Sequence, residues 1–289
     1  MNIFKALFGG KDNTSPEKRK EEEDRRNFDI LKYDGVKAMQ TGRFDYAVQC
    51  MKHALQLRED LETRDYLSQA YIKTGNLSAA YKQLQKLAEA QPDNIEIPIR
   101  MAQVAYMMED YTAMAEACEK ALLIDDTDAE SVYLYGRACV GQDDISNAKA
   151  MFTKAIMLNS NHEDAYAMRA TILLEEGELE EAESDIEWLT SRAADNEDIM
   201  MLKARLEIKK GNDPEAEKWL DNIIDINPFC LAAYKERAAL RMHKGDVSGA
   251  KEDELKIEEM GAYEGISTEE NIEQKTQEAY NNSNPYFNS

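Results

Sequence analysis

Along most of this chain, small and large apolar positions return at one fixed interval. Ala47, Ala80, Ala148, Ala182, Ala216 and Ala250 are spaced by multiples of 34 residues after a first step of 33, and Met114 fills the one gap. Within the interval Asp60 to Asp93, residues Leu67, Ala70, Tyr71 and Thr74 recur at helical spacing, and Gly75-Asn76 then interrupts. Leu77, Ala80, Tyr81, Leu84, Leu87 and Ala88 mark a second helical face, which stops at Pro92. The pattern predicts a helix–turn–helix unit that cannot bury its own apolar face, so that stacked copies share one continuous core.

Two more columns run in the same register. Gly35, Ser68, Ala102, Gly136, Ala170, Ala204 and Ala238 are all small, as a close helix crossing requires. Met51, Leu84, Cys118, Phe152, Ile186 and Leu220 supply the large residue that fills the space between helices. Between the two helices of each unit stands Gly42, Gly75, Gly177, Gly211 or Gly245, with Glu109 and Asp143 as substitutes. A sharp turn out of a helix uses left-handed backbone, which glycine adopts without a Cβ clash.

Taken together these columns resemble the tetratricopeptide repeat (TPR) family, over seven units from about Phe28 to Glu264. The usual terminal proline is present only as Pro92 and Pro228. The resemblance implies an all-α, right-handed superhelical solenoid of about seven helix–turn–helix repeats. Residues 1–27 form an apolar N-terminal segment followed by a charged stretch, read as a linker or a lead-in helix. In the seventh unit Glu254 takes the place of the large apolar residue and Glu258 follows one turn later, which marks the end of the stack, where a face meets water. Beyond it, Ser267 and Glu270 form an S-x-x-E capping box that predicts a short helix through Tyr280. Its Ile272, Ala279 and Tyr280 would lie on the last repeat as a lid, ahead of a loose tail to Ser289.

The formal net charge of −22 sits almost wholly in the repeats, because residues 1–27 come to about +1 and the last 25 to about −3. Asp29, Glu62, Glu96, Glu130, Asp164 and Asp198 share a column near the start of each first helix, where a carboxylate meets the positive end of the helix dipole. The run Glu175 to Glu187 is expected to be a solvated helix face. A surface this acidic repels phosphate backbones and argues against nucleic acid as a partner. Cys50, Cys118, Cys139 and Cys230 have no metal-binding or CxxC spacing, and Cys118 and Cys139 fall in core columns, which suits a reduced, cytoplasmic protein. No stretch is long enough to insert through a membrane. Ile3, Phe4, Leu7 and Phe8 are too short a run for a signal-peptide core, but they suit peripheral contact with a membrane or partner.

Catalysis would need a nucleophile beside a base, a metal cluster or a phosphate-cradling loop. His53, His162 and His243 lie in distant units, and the glycines form no phosphate-binding pattern. No enzyme activity, cofactor or metal is expected. Binding to a protein or peptide is the function the resemblance implies, with the first helices lining a concave groove. Lys32, Gln69, Lys73, Gln103, Tyr133, Arg137, Met201, Arg205 and Lys209 are then the candidate groove residues. These columns do not repeat from unit to unit although the core columns do, as an asymmetric ligand would demand. Arg137, Arg205 and Lys209 could pair with carboxylates of a partner. The clamp by which related repeats hold chaperone carboxylates is not expected: Lys32 and Arg100 fit its register, but Val36, Tyr66 and Glu96 occupy its other places. The alternatives are a membrane-peripheral assembly or chaperone-like factor anchored by the N-terminal segment, and self-association.

Overall fold

The computed structural model describes residues 15–264. Two compact units meet in sequence between Ser160 and Asn161. The first holds α1 (Pro16–Gln40), α2 (Phe44–Leu57), α3 (Leu61–Lys73), α4 (Leu77–Ala90), α5 (Glu96–Met107), α6 (Tyr111–Ile124), α7 (Ala129–Gly141) and α8 (Ile145–Leu158). The second holds α9 (Glu163–Glu176), α10 (Leu179–Thr190), α11 (Glu197–Lys209), α12 (Asp213–Ile226), α13 (Leu231–His243) and α14 (Val247–Glu264). Each odd-numbered helix packs against the even-numbered one that follows, and the described chain is an all-α helical-repeat solenoid.

The turns form as the sequence pattern predicts. Gly75 has φ +72°, and the two substitutes, Glu109 and Asp143, hold φ at 56° and 60°. The core columns are also the core in fact, with every alanine of the first column fully buried together with Met114. The small and large columns turn out to be two sides of one contact. A Cβ on Gly136 would lie 2.8 Å from Cε1 of Phe152, and one on Gly35 would lie 2.7 Å from Cε of Met51. Phe152 and Met51 are fully buried, and each such side chain contributes about 1.5–3 kcal/mol through burial alone.

Odd-numbered helices also touch one another directly, α1 on α3 and α5 on α7 in the first unit, α9 on α11 in the second. That makes them the inner layer of each unit, the layer from which the candidate site is built.

Two expectations change, and of the two readings of the charged stretch the lead-in helix is the one observed. Residues 16–27 are helical and continuous with the first repeat helix. Ser15 caps that helix by accepting a hydrogen bond from Lys18 N, and Pro16 suits its first turn. The i,i+4 pairs Glu21–Arg25 and Glu22–Arg26 favour helix over open linker. Asp29 therefore sits in the middle of α1 and not at a helix start, whereas Glu62, Glu96, Glu130, Asp164 and Asp198 do lie in first turns. The acidic run from Glu175 is solvated except at Asp185, which is buried and takes a bidentate contact from Arg169, Nε at 2.8 Å and Nη2 at 2.7 Å. Glu254 and Glu258 are exposed, as the end of a stack requires, but Asp253 beside them is buried between Arg237 and Arg241. The predicted lid from Ser267 to Tyr280 and the apolar segment Ile3 to Phe8 lie outside the described residues.

Candidate functional site

In the second unit the inner faces of α9, α11 and α13 enclose a groove of about 680 Å3. Leu174, Leu202 and Leu240 are buried beneath it, and half-buried Ile208 completes an apolar floor. Leu174 and Ile208 stand one turn beyond the small core residues Ala170 and Ala204, and Leu202 and Leu240 stand two residues from Ala204 and Ala238. The rim is charged, with Arg205, Lys209, Glu175, Asp213 and Glu236 along it beside His243. Arg205 is already engaged, since its Nε and Nη2 donate to Glu236 Oε1 at 2.7 and 2.6 Å. The other oxygen of that carboxylate, Glu236 Oε2, is buried and accepts no hydrogen bond among the described residues. A buried acceptor without a donor carries a desolvation penalty of about 1–3 kcal/mol. His243 Nδ1 lies 3.8 Å from Asp213 Oδ2, and Lys209 is exposed.

In the first unit the candidate residues have other surroundings. Lys32 is part of an internal cluster, 2.8 Å from Asp60 and 2.5 Å from Glu62. Burial works against the Lys32 charge, but hydrogen bonds to these two carboxylates outweigh it and raise its pKa. Burial likewise opposes ionisation of Asp60, yet the bonds from Lys32 and Thr63 hold its carboxyl down at about 2. Gln69 donates to Asp65 at 2.9 Å, and Lys73 and Gln103 are exposed. Arg100 donates to Asp65 and, at 2.8 Å, to Ser68 Oγ. The two basic residues that fit the chaperone-clamp register, Lys32 and Arg100, are thus both neutralised within the chain.

Tyr133 and Met201 are each only 7 % exposed and belong to the packed wall rather than to an open surface. Tyr133 packs on Phe152 with ring centroids 5.8 Å apart. Arg137 lies over the ring of Tyr106, 3.8 Å from its centroid. Of the nine candidate residues, Arg205 and Lys209 meet at one groove, and Arg137 presents a separate feature on the first unit. Glu236 and Tyr106 are the residues that sequence reasoning missed. Tyr106 lies three positions past Gln103, one step off the column read as groove, and that offset was the available signal. Among the described residues no helix is long and apolar enough to cross a membrane.

Tetratricopeptide repeat family models match residues 173–241 and, separately, 67–94 and 129–162. No curated protein sequence matches the chain. Among solved structures, a tetratricopeptide repeat protein from Parabacteroides merdae superposes with a TM-score of 0.68 at 17 % identity, covering 82 % of this chain and 94 % of that one. PilW, a type IV pilus biogenesis factor, gives 0.62 at 15 % identity over 74 % of this chain and 98 % of its own. YrrB, a repeat protein with an unusual peptide-binding site, gives 0.51 at 18 % identity over 61 % and 91 %. At these identities the likeness is one of fold. With the family models in the same register as the buried alanine and glycine columns, the chain is a member of the tetratricopeptide repeat family.

Proposed function

We propose that this protein is a scaffold that binds a peptide segment of another protein along its inner helices, with no chemistry done on the ligand. The groove of α9, α11 and α13 is the observation that carries the reading. It combines an apolar floor large enough for one or two side chains with charged groups at its rim, among them Lys209 and Glu175. An extended or helical segment would seat an apolar side chain on Leu202 and Leu240 and meet Lys209 or Glu175 at the rim with an opposite charge. The unusual peptide-binding site of YrrB supports binding of this kind by the fold.

The test is a random-peptide display library panned on the full chain and on Ala239→Trp. Ala239 is exposed on α13 and lines the groove, so the indole fills the space without entering the core. Peptides selected by the wild type should lose most of their binding to the variant. Equal binding by both would remove the groove as the site, and no selected peptides would remove the reading.

A further inference from the structure

Arg137 differs from every other arginine on the odd-numbered helices from α3 to α13. Arg64, Arg100, Arg169, Arg205, Arg237 and Arg241 are each ion-paired. Among the described residues, no carboxylate or carbonyl accepts from Arg137; its contacts are with rings. The guanidinium carbon lies 3.8 Å from the Tyr106 centroid and 5.7 Å from that of Tyr133. Stacking uses the face of the guanidinium and leaves its edge, where the N–H donors lie, turned away from the ring.

The rings are themselves held in place. Tyr133 is packed on Phe152, and Tyr106 lies against Tyr111 with centroids 6.3 Å apart. Tyr111 in turn presses on Gly141, so closely that a Cβ there would fall 2.2 Å from the ring. A planar fork of donors on a fixed aromatic support is the geometry that a carboxylate meets with two parallel hydrogen bonds. Much of the ordering entropy that a free arginine would lose on binding has already been lost to the stack.

We propose that Arg137 anchors one carboxylate, an Asp or Glu side chain of a peptide segment bound on the inner face of the first unit; this rests on the peptide-binding function proposed above. The charge balance selects a monoanion over a phosphate. Arg100 is committed to Asp65 and Ser68, and α5 and α7 carry no further Lys or Arg. Glu96 and Glu130 stand in the first turns of the same two helices. One uncommitted guanidinium balances a single charge, whereas a dianionic phosphate would want a second cation.

The experiment uses the peptides selected on the full chain. An Asp or Glu should recur at a fixed position in one class of them. Changing that acid to its amide should weaken binding to the wild type about 10- to 100-fold, the range for a charge-assisted hydrogen-bond pair. Binding to Arg137→Met should be weak and indifferent to the same peptide change, and Arg137→Lys should recover part of the affinity. Because the amide exchange is made in the peptide, the result does not depend on the variant folding. The proposal is overturned if the selected peptides share no acid, or if the acid matters equally to wild type and Arg137→Met. Peptides without an acid that still lose binding to Ala239→Trp would sink this proposal alone and leave the groove reading standing.

Discussion

The ion pair between Arg169 and Asp185 offers the sharpest quantitative test of how the stack is held together. The two side chains sit where the preceding repeats place Met101 with Ala117 and Tyr135 with Met151, so an apolar contact has been exchanged for a charged one. The same exchange recurs two periods later as Arg237 with Asp253. The Asp185 side chain is 4 % exposed and that of Arg169 is 20 % exposed, and this difference decides which single change hurts more. Arg169→Met leaves a carboxylate buried with no counter-ion, a penalty of about 3–5 kcal/mol. Asp185→Ala leaves a guanidinium that can still turn toward water, so the loss should be nearer about 1.5–3 kcal/mol. Combining the two changes places Met and Ala where the third repeat has Met101 and Ala117, and should come within about 1 kcal/mol of the wild type. The coupling between the two sites would then be at least about 3 kcal/mol. Urea unfolding followed by far-ultraviolet circular dichroism measures all four proteins, with slopes compared as well as midpoints because repeat arrays can lose two-state behaviour. Single changes that add in the double variant, or a larger loss from Asp185→Ala than from Arg169→Met, would refute the reasoning.

Two other expectations follow from the shifted titrations. The Asp60 carboxyl, held at about 2 against an ordinary 3.8, contributes stability that is fully present above the ordinary value and is lost as pH falls through the lower one. The stability gap between wild type and Asp60→Asn should therefore close between about pH 4 and pH 2, and a gap that stays constant over that range would show that the Lys32–Asp60 pair adds nothing. Burial pushes the Cys118 thiol up to about 12, so iodoacetamide should label it only after unfolding, as read by peptide mass spectrometry; rapid labelling of the native protein would contradict its burial.

The repeat frame was legible in the sequence because packing imposes the same requirement in every unit. A residue such as Ala148 or Gly136 answers only to the helix that crosses it, and that helix recurs every 34 residues. The ionic pairs were less visible for a related reason. Asp185 lies inside a run of solvated glutamates, and nothing in its own neighbourhood marks it as buried. The signal was at long range: Arg169 and Arg237, each just before a small-column alanine, recur two periods apart, with Asp185 and Asp253 one turn past the first alanine column. The site was legible only in part. Column position placed Arg205 and Lys209 at the groove, but the same rule placed Met201 and Tyr133 in the open, and both are buried. Residues on the boundary between two helices are buried or exposed according to the size of their neighbours, and those neighbours do not repeat.

The net charge of −22 constrains a partner less than its size suggests. On the inner helices most arginines are spent within the chain: Arg100 on Asp65, Arg205 on Glu236, and Arg237 on Asp253 and Asp221. These cations pin neighbouring helices together, so they cannot also draw a ligand without loosening the stack. Much of the surface therefore repels an acidic segment at long range, but that field decays over about 8 Å at physiological ionic strength. Repulsion of this kind slows encounter, while the lifetime of a complex depends on contacts made at hydrogen-bond distance. In the proposed binding mode, recognition falls to groups left uncommitted, among them the guanidinium of Arg137 and Lys209 at the groove edge. Such a surface rejects acidic chains in general and holds only one whose carboxylate arrives where a donor is waiting.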